Sequence, residues 1–214
     1  MDIFLQQVIN GVTVGCLYAL VALGYSMVYG VLKMVNFAHG EMFMLGPMFS
    51  LFALQAFGLV TGRLNSIVGN PSTPVLVGLM ALCFLVGSTF AALIGLAMER
   101  VVYRPLRNRN AAMEIAMIAA MGVSLFLQNA AMLVFGRLQK GYPVMIETKF
   151  YNVAGANFSN IQVFILVFVA ILLIGLSYLV NKTYMGRNFR AVALDRCASG
   201  LMGVNVNAVV AFVF

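Results

Sequence analysis

The chain has 214 residues, of which 63% are hydrophobic and only 9% are charged, and its formal net charge is +7. A soluble domain holds about a quarter charged residues and slightly under half apolar ones, so a soluble core of this length could not bury so much apolar surface. The basic residues lie in short gaps between apolar runs and lack the interleaved aromatic residues of a nucleic-acid-binding face, which argues against a nucleic acid partner. The composition predicts an integral membrane protein.

Five runs are long and apolar enough to span a bilayer, which takes about 20 mostly apolar residues. They cover approximately Asn10–Leu32, Met42–Val60, Val75–Met98, Ile115–Phe135 and Ile161–Val180. A sixth run begins near Leu201 and is still apolar at Phe214, so we expect the chain to be part of a longer protein with further C-terminal spans. The predicted fold class is all-α, a polytopic transmembrane helix bundle that forms a single domain over residues 1–214.

The segment Lys33–Met42, between the first two runs, is unusually polar for its position. Asn36, His39 and Glu41 lie there with almost no room for a loop. Polar groups at membrane depth are unfavourable unless they pair or line a water-filled cavity. One interpretation is a broken or re-entrant helix whose polar residues shape a gate on a translocation path. The other is an interfacial turn whose charges reach cytoplasmic water.

Two further features should shape the spans. Pro47 in the second run removes a backbone hydrogen bond, so we expect that helix to bend or break. Gly87, Ala91 and Gly95 recur at four-residue spacing in the third run, a pattern that lets another helix approach closely. We expect this stripe to pack helices, with pore lining as the alternative.

The distribution of lysine and arginine predicts the orientation. The gaps Glu99–Glu114 and Asn181–Gly200 each carry four basic residues, whereas the gap between Val60 and Val75 holds only Arg63. Because basic loops remain cytoplasmic, both basic gaps are predicted on the cytoplasmic side and the N-terminus outside. In the outer gap Gly136–Asn160, the stretch Val144–Val153 alternates partly like a short strand pair. This gap is interpreted as a plug, a lid or a docking surface, or simply as a solvated linker.

The stretch Phe189–Met202 predicts one short helix on the cytoplasmic face before the chain re-enters the membrane. Small residues let a partner subunit pack closely, and the charges of Arg190 and Asp195 can fix its register. A merely solvated loop would not need so many small positions, so we predict a docking surface. Its small residues are Ala191, Ala193, Ala198 and Gly200.

No catalytic constellation is visible. His39 is the sole histidine, and the chain has neither a Walker A sequence nor a carboxylate pair on a helix face nor metal-ligand spacing. We therefore predict no enzymatic activity, metal or cofactor, and any nucleotide would be handled by another subunit. An ATP-independent secondary transporter or channel is the alternative. It would need ionisable relay residues within the spans, and the five runs hold no charged residue.

At the polar segment Lys33–Met42 and around the stretch Phe189–Met202, the chain resembles the inner-membrane permeases of branched-chain amino acid ABC importers, the H-type subunit in particular. The resemblance covers essentially the whole chain. Its most specific element is Val35–Glu41 following Leu23–Gly30, and Glu99–Arg107 is a further close match. A third matching region resembles the cytoplasmic coupling loop through which such permeases rest on their ATPase subunits. Its candidate coupling residues are Gly186, Arg187, Arg190, Ala191, Asp195, Ala198 and Gly203.

The resemblance implies an assembly of two homologous permease subunits, two ATP-binding subunits and a periplasmic solute-binding protein, embedded in the bilayer of the bacterial inner membrane. This chain would form half of an alternating-access pathway for branched-chain or other small amino acids, from periplasm to cytoplasm. Permeases for urea and other amides share the segment Asn36–Gly40 in type, so a urea or amide permease is an alternative.

Overall fold

The computed structural model describes residues 2–61, 73–109, 111–138, 140–142, 148–153 and 156–214, and these are mostly helical. A π-helix joins α3 to α4, and one short hairpin of strands precedes α6. The all-α fold class is confirmed. The helices are α1 Asp2–Leu32, α2 His39–Thr61, α3 Thr73–Met98, the π-helix Glu99–Tyr103, α4 Arg104–Asn108, α5 Met113–Phe135, α6 Asn160–Lys182, α7 Tyr184–Leu194, α8 Arg196–Leu201 and α9 Val206–Val213; the strands are β1 Phe150–Val153 and β2 Ala156–Ser159.

Four helical segments are long and apolar enough to cross a membrane. Within the described residues they are Ile3–Leu32, Gly78–Asn108, Met113–Phe135 and Asn160–Lys182, and each contains most or all of a predicted run. The remaining predicted span is also helical, since α2 has 23 residues, but it is not among these four. Two polar side chains lie within it, Glu41 near its start and Gln55 in its second half.

The chain divides into two compact units, one of which comprises Met1–Lys33 and Ile146–Val213. In this first unit α1 contacts α6, α7, α9 and the hairpin. The hairpin is antiparallel, with Tyr151 opposite Phe158. Gln6 on α1 binds both backbone groups of Asn157, accepting from its N–H at 2.8 Å and donating to its carbonyl at 3.2 Å. These paired bonds fasten the hairpin to the N-terminal part of α1.

The hairpin leads directly into α6. The Ser159 side chain accepts from the N–H of Ile161, while the Gln162 side chain accepts from the N–H of Ser159, which is a capping box. The strand pair expected within Val144–Val153 is therefore displaced toward the C-terminus, with β1 at the end of that stretch and β2 beyond it. Residues 143–147, the first part of the predicted alternation, lie outside the described residues.

The second unit comprises Met34–Met145 together with Phe214. Here α2 packs on α3 and α5. A Cβ added to Gly87 would lie 2.8 Å from the carbonyl oxygen of Gly46, so the two backbones touch and position 87 has no room for a side chain. The Ala91 methyl lies against Gly46 as well. The expectation that this stripe packs helices is confirmed for Gly87 and Ala91.

Pro47 lies inside α2, and the helix continues through it. The prediction was a bend or a break, and the helix does not break at Pro47. Neighbouring helices make internal prolines tolerable in spans, and α3 and α5 pack against α2 here. The same part of α2 binds the segment that follows α5. The phenol of Tyr142 donates to the carbonyl of Pro47 at 2.7 Å and also shares a hydrogen bond with the Ser50 hydroxyl.

Candidate functional site

The residues between α1 and α2 form a short non-helical segment whose fold depends on Asn36. Lys33 adopts a left-handed conformation, with φ of 57°, where α1 ends. The backbone carbonyl of Asn36 accepts from the N–H of His39 at 3.1 Å, and its side-chain oxygen accepts from the N–H of Ala38 at 3.1 Å. Asn36 thus supplies the first N–H groups of α2 with acceptors, the usual role of an asparagine before a helix.

Asn36 is also joined to the π-helix of the second unit. Its side-chain oxygen accepts a 2.7 Å hydrogen bond from the phenol of Tyr103. Both side chains are buried, Asn36 with 1% and Tyr103 with 3% of their surface exposed. Within the described residues the side-chain nitrogen of Asn36 is buried without a hydrogen-bond partner. A buried amide donor of this kind is costly, so the site holds a donor that is available to a ligand or to another conformation.

The other two predicted gate residues lie at the start of α2. His39 is half-buried. The Glu41 carboxylate accepts from the Ser124 hydroxyl of α5 at 3.2 Å. The three candidates therefore share one turn of chain, but Asn36 and Glu41 bind different helices.

A buried ion pair, which the sequence did not suggest, lies beside this segment. The Glu99 side chain, 1% exposed, accepts from the Arg107 guanidinium at 2.9 Å. Glu99 begins the π-helix, and its carbonyl accepts from the N–H of Arg104, five residues on. Pro105 follows directly, and a proline both lacks an N–H and clashes with the carbonyl four residues earlier. The wider π turn relieves that clash, so Pro105 was the sequence signal for the irregular helix.

The predicted helix Phe189–Met202 is wrong in its bounds, because the structure divides this stretch at Asp195. Helix α7 begins earlier, where the Thr183 hydroxyl accepts from the N–H of Gly186 at 3.1 Å. Asp195 is extended, with φ of −148° and ψ of 116°, and its carboxylate accepts from the N–H groups of Cys197 and Ala198. Asp195 ends α7 and caps α8, and an aspartate placed before a short helical run is a familiar N-cap signal.

Two of the predicted coupling residues hold α7 against α6. A Cβ added to Gly186 would collide with the carbonyl oxygens of Leu179 and Val180, so only glycine fits. The Arg190 guanidinium donates to the carbonyl of Val180 at 2.5 Å. These residues serve the internal packing of the first unit and fix the position of α7.

The remaining coupling residues differ in exposure. Arg187 lies over the Tyr184 ring at 5.8 Å and is exposed, as are Asp195 and Ala198, whereas Ala191 is half-buried. Gly203 has φ of 84°, a left-handed conformation that suits glycine at the end of α8. Three large apolar side chains, which sequence reasoning did not single out, are strongly exposed within the α7–α8 segment and just after it. They are Leu194 at 88%, Leu201 at 86% and Met202 at 85%.

Arg196, at the start of α8, makes a long-range contact that the sequence did not indicate. Its guanidinium donates to the carbonyl of Val31 from Nε at 3.0 Å and from Nη2 as well. Val31 lies in the last turn of α1, where the carbonyl oxygens lack N–H donors from within the helix. Nearby, the Phe189 ring lies 3.4 Å from where a Cβ of Gly30 would stand. Helices α7 and α8 therefore contact the C-terminal end of α1.

Comparisons with known proteins agree with the resemblance seen in the sequence. The family model described as "Branched-chain amino acid transport system / permease component" matches residues 7–214. The chain is 36% identical to the high-affinity branched-chain amino acid transport system permease protein BraD of Pseudomonas aeruginosa, and 37% identical to the corresponding protein LivH of Escherichia coli K12. Each alignment covers 99% of this chain and 66% of the relative.

A more distant relative is the probable branched-chain amino acid transport permease protein LivH of Methanocaldococcus jannaschii, 30% identical over 89% of this chain and 55% of that protein. No solved structure matches the chain. The chain spans 66% of the length of the two bacterial relatives. With four helices able to cross a membrane among the described residues and a family match over residues 7–214, the chain belongs to the permease components of branched-chain amino acid transport systems and is a multi-pass protein of the inner membrane.

Proposed function

We propose that this chain is the permease subunit of an ATP-driven importer and forms half of a pathway that carries branched-chain or other small amino acids from periplasm to cytoplasm. The observation that carries the proposal is the family match over residues 7–214. ATP hydrolysis is assigned to separate subunits. The proposed partners are two ATP-binding subunits, a second homologous permease and a periplasmic solute-binding protein.

The α7–α8 segment is the proposed docking surface for an ATP-binding subunit. Gly186 and Arg190 fix it on α6, so a force applied to it would reach the membrane span. Its exposed apolar side chains, Leu194 and Leu201, would be unfavourable in water and suit a protein cleft. Exposed Ala198 lies between them and allows close approach. With both basic gaps placed in the cytoplasm, this surface faces the compartment that contains ATP.

The segment Lys33–Glu41 is the proposed gate at the cytoplasmic end of the pathway. The buried Asn36 nitrogen and the half-buried His39 and Glu41 are polar groups in an apolar setting, which favours a role in transport over a solvated turn. Glu41 binds Ser124 of α5, so movement of α5 would change the surroundings of the segment.

Reconstitution tests the function as a whole. The full-length protein, its companion subunits and the binding protein are placed in vesicles with ATP on the ATPase side, and uptake of labelled leucine, valine and urea is measured. We expect uptake of the branched-chain amino acids that requires hydrolysable ATP, and no uptake of urea. ATP-independent uptake would support a secondary transporter or channel, and uptake of urea alone would support the amide permease.

A further inference from the structure

We propose that Arg196 couples the α7–α8 segment to α1, so that movement of the docking surface is transmitted to a second span besides α6. The inference rests on the proposed docking of α7–α8 to an ATP-binding subunit, and it adds a positioning residue that the sequence comparison did not suggest. It depends on contacts that all lie within the first unit.

The link to α6 is covalent and well supported. Helix α7 follows α6 after the single residue Thr183. Gly186 packs closely against the last turns of α6, and Arg190 donates a hydrogen bond to the Val180 carbonyl there. Any displacement of α7 therefore acts on α6 without further contacts. Helix α1, in contrast, is separated from Arg196 by 165 positions of sequence and can follow α8 only through non-covalent contacts.

Arg196 provides a directional contact of this kind. Two nitrogens of one planar guanidinium donate to a single oxygen, the carbonyl of Val31, which fixes both the distance and the direction of the contact. Val31 is 1% exposed, so water does not compete readily for its carbonyl. The carbonyl end of a helix carries partial negative charge, and a cation placed there is stabilised further.

A second contact beside it is purely steric. The Phe189 ring of α7 lies against Gly30, which has no side chain to hold the ring away. The ring can press on α1 but cannot pull it, whereas the Arg196 hydrogen bonds resist separation. Arg196 therefore provides a contact through which α1 can follow α8 in both directions.

The test replaces Arg196 by methionine, which is of similar length but has no donor, in the complete reconstituted complex. We expect the ATP-binding subunits to copurify at the unmodified level, while solute uptake falls about tenfold and ATP hydrolysis no longer rises when the loaded binding protein is added. Arg196→Lys, which retains one cationic donor, should restore part of the uptake. Lys182→Met, at an exposed cation at the end of α6, is the matched control and should leave uptake within twofold.

The thermal unfolding midpoint in detergent separates coupling from simple stability, since a structural role alone would lower the midpoint and uptake together. If Arg196→Met does not yield folded protein, Arg196→Gln, whose uncharged side chain is shorter, tests the same contact with the Val31 carbonyl, with the same expected loss of stimulated hydrolysis. Normal uptake and normal stimulation in either folded variant would overturn the proposal. If the ATP-binding subunits copurify with the unmodified protein but not with the Arg196→Met variant, Arg196 is assigned to docking instead. Their absence from the unmodified complex would contradict the proposed function itself.

Discussion

The phenol of Tyr103 donates a 2.7 Å hydrogen bond to the side-chain oxygen of Asn36, and this bond joins the π-helix to the segment that starts α2. The same oxygen accepts from the N–H of Ala38 at 3.1 Å. Tyr103 thus holds in place the asparagine that caps α2. Glu99 is the other buried side chain of the π-helix, and its carboxylate is paired with Arg107. Both buried polar side chains of the π-helix, Glu99 and Tyr103, therefore have partners.

The first prediction is that Tyr103→Phe weakens this joint while preserving the packing of the ring. Loss of a buried hydrogen bond should lower the free energy of unfolding by about 1 kcal/mol. Thermal unfolding of the purified protein in detergent measures the change. Tyr29→Phe is the control, since that side chain is 51% exposed. Equal midpoints for the two variants would show that the Tyr103 hydroxyl has no role in holding Asn36.

The second prediction concerns Gly186, where an added Cβ meets two backbone oxygens of α6. Gly186→Ala must push α7 away from α6, and overpacking of this kind costs about 1–3 kcal/mol. We expect a lower unfolding midpoint and easier proteolysis between α6 and α7. Gly200→Ala is the matched control, because a Cβ there has no described atom within 4 Å. Equal stability of both variants would contradict the close approach of α7 to α6.

Apolar runs predicted the helices because a bilayer span must satisfy its own backbone hydrogen bonds. The run Ile115–Phe135 became α5, Met113–Phe135, with only two residues added. The division at Asp195 was readable in principle, since aspartate before Cys197 and Ala198 is a capping pattern. The contact of Arg196 with Val31 was not, because nothing in the residues near either position encodes a partner 165 residues away.

The sequence indicated the candidate gate residues but not the residues that bind them. Polarity between two apolar runs pointed to Asn36, His39 and Glu41 from their local sequence alone. Their partners, Tyr103 and Ser124, are an aromatic and a small hydroxyl residue of ordinary appearance within apolar or basic stretches. Only the packing of α3 and α5 around α2 brings them to the segment.

The third prediction tests the gate. His39→Ala and Glu41→Ala should each lower uptake in vesicles several-fold without loss of the ATP-binding subunits, because neither residue lies in the α7–α8 surface. Glu41→Gln retains an acceptor for the Ser124 hydroxyl and should be less impaired than Glu41→Ala. Unchanged transport in both alanine variants would favour the interfacial turn.

The fourth prediction concerns orientation. Single cysteines at Asn108 and Asn157 are introduced into a background in which Cys16, Cys83 and Cys197 are replaced. Both positions are exposed, and the Asn157 bonds to Gln6 use backbone groups that a cysteine retains. A membrane-impermeant maleimide added outside intact spheroplasts should label position 157 and not position 108. Labelling of both from one side would contradict the predicted topology.

The last prediction places a bulky side chain at the centre of the docking surface. Ala198 is exposed on α8, and the Asp195 carboxylate binds its backbone N–H, so Ala198→Trp enlarges the surface without removing the helix cap. A tryptophan there should overpack the joint with an ATP-binding subunit by about 1–3 kcal/mol. We expect reduced copurification of the ATP-binding subunits, or loss of solute-stimulated hydrolysis together with uptake, while membrane insertion remains normal.

Ala198→Ser, a small and polar change at the same position, should leave both activities near the unmodified level. Normal uptake and normal stimulated hydrolysis in Ala198→Trp would remove this face of α8 from the docking surface.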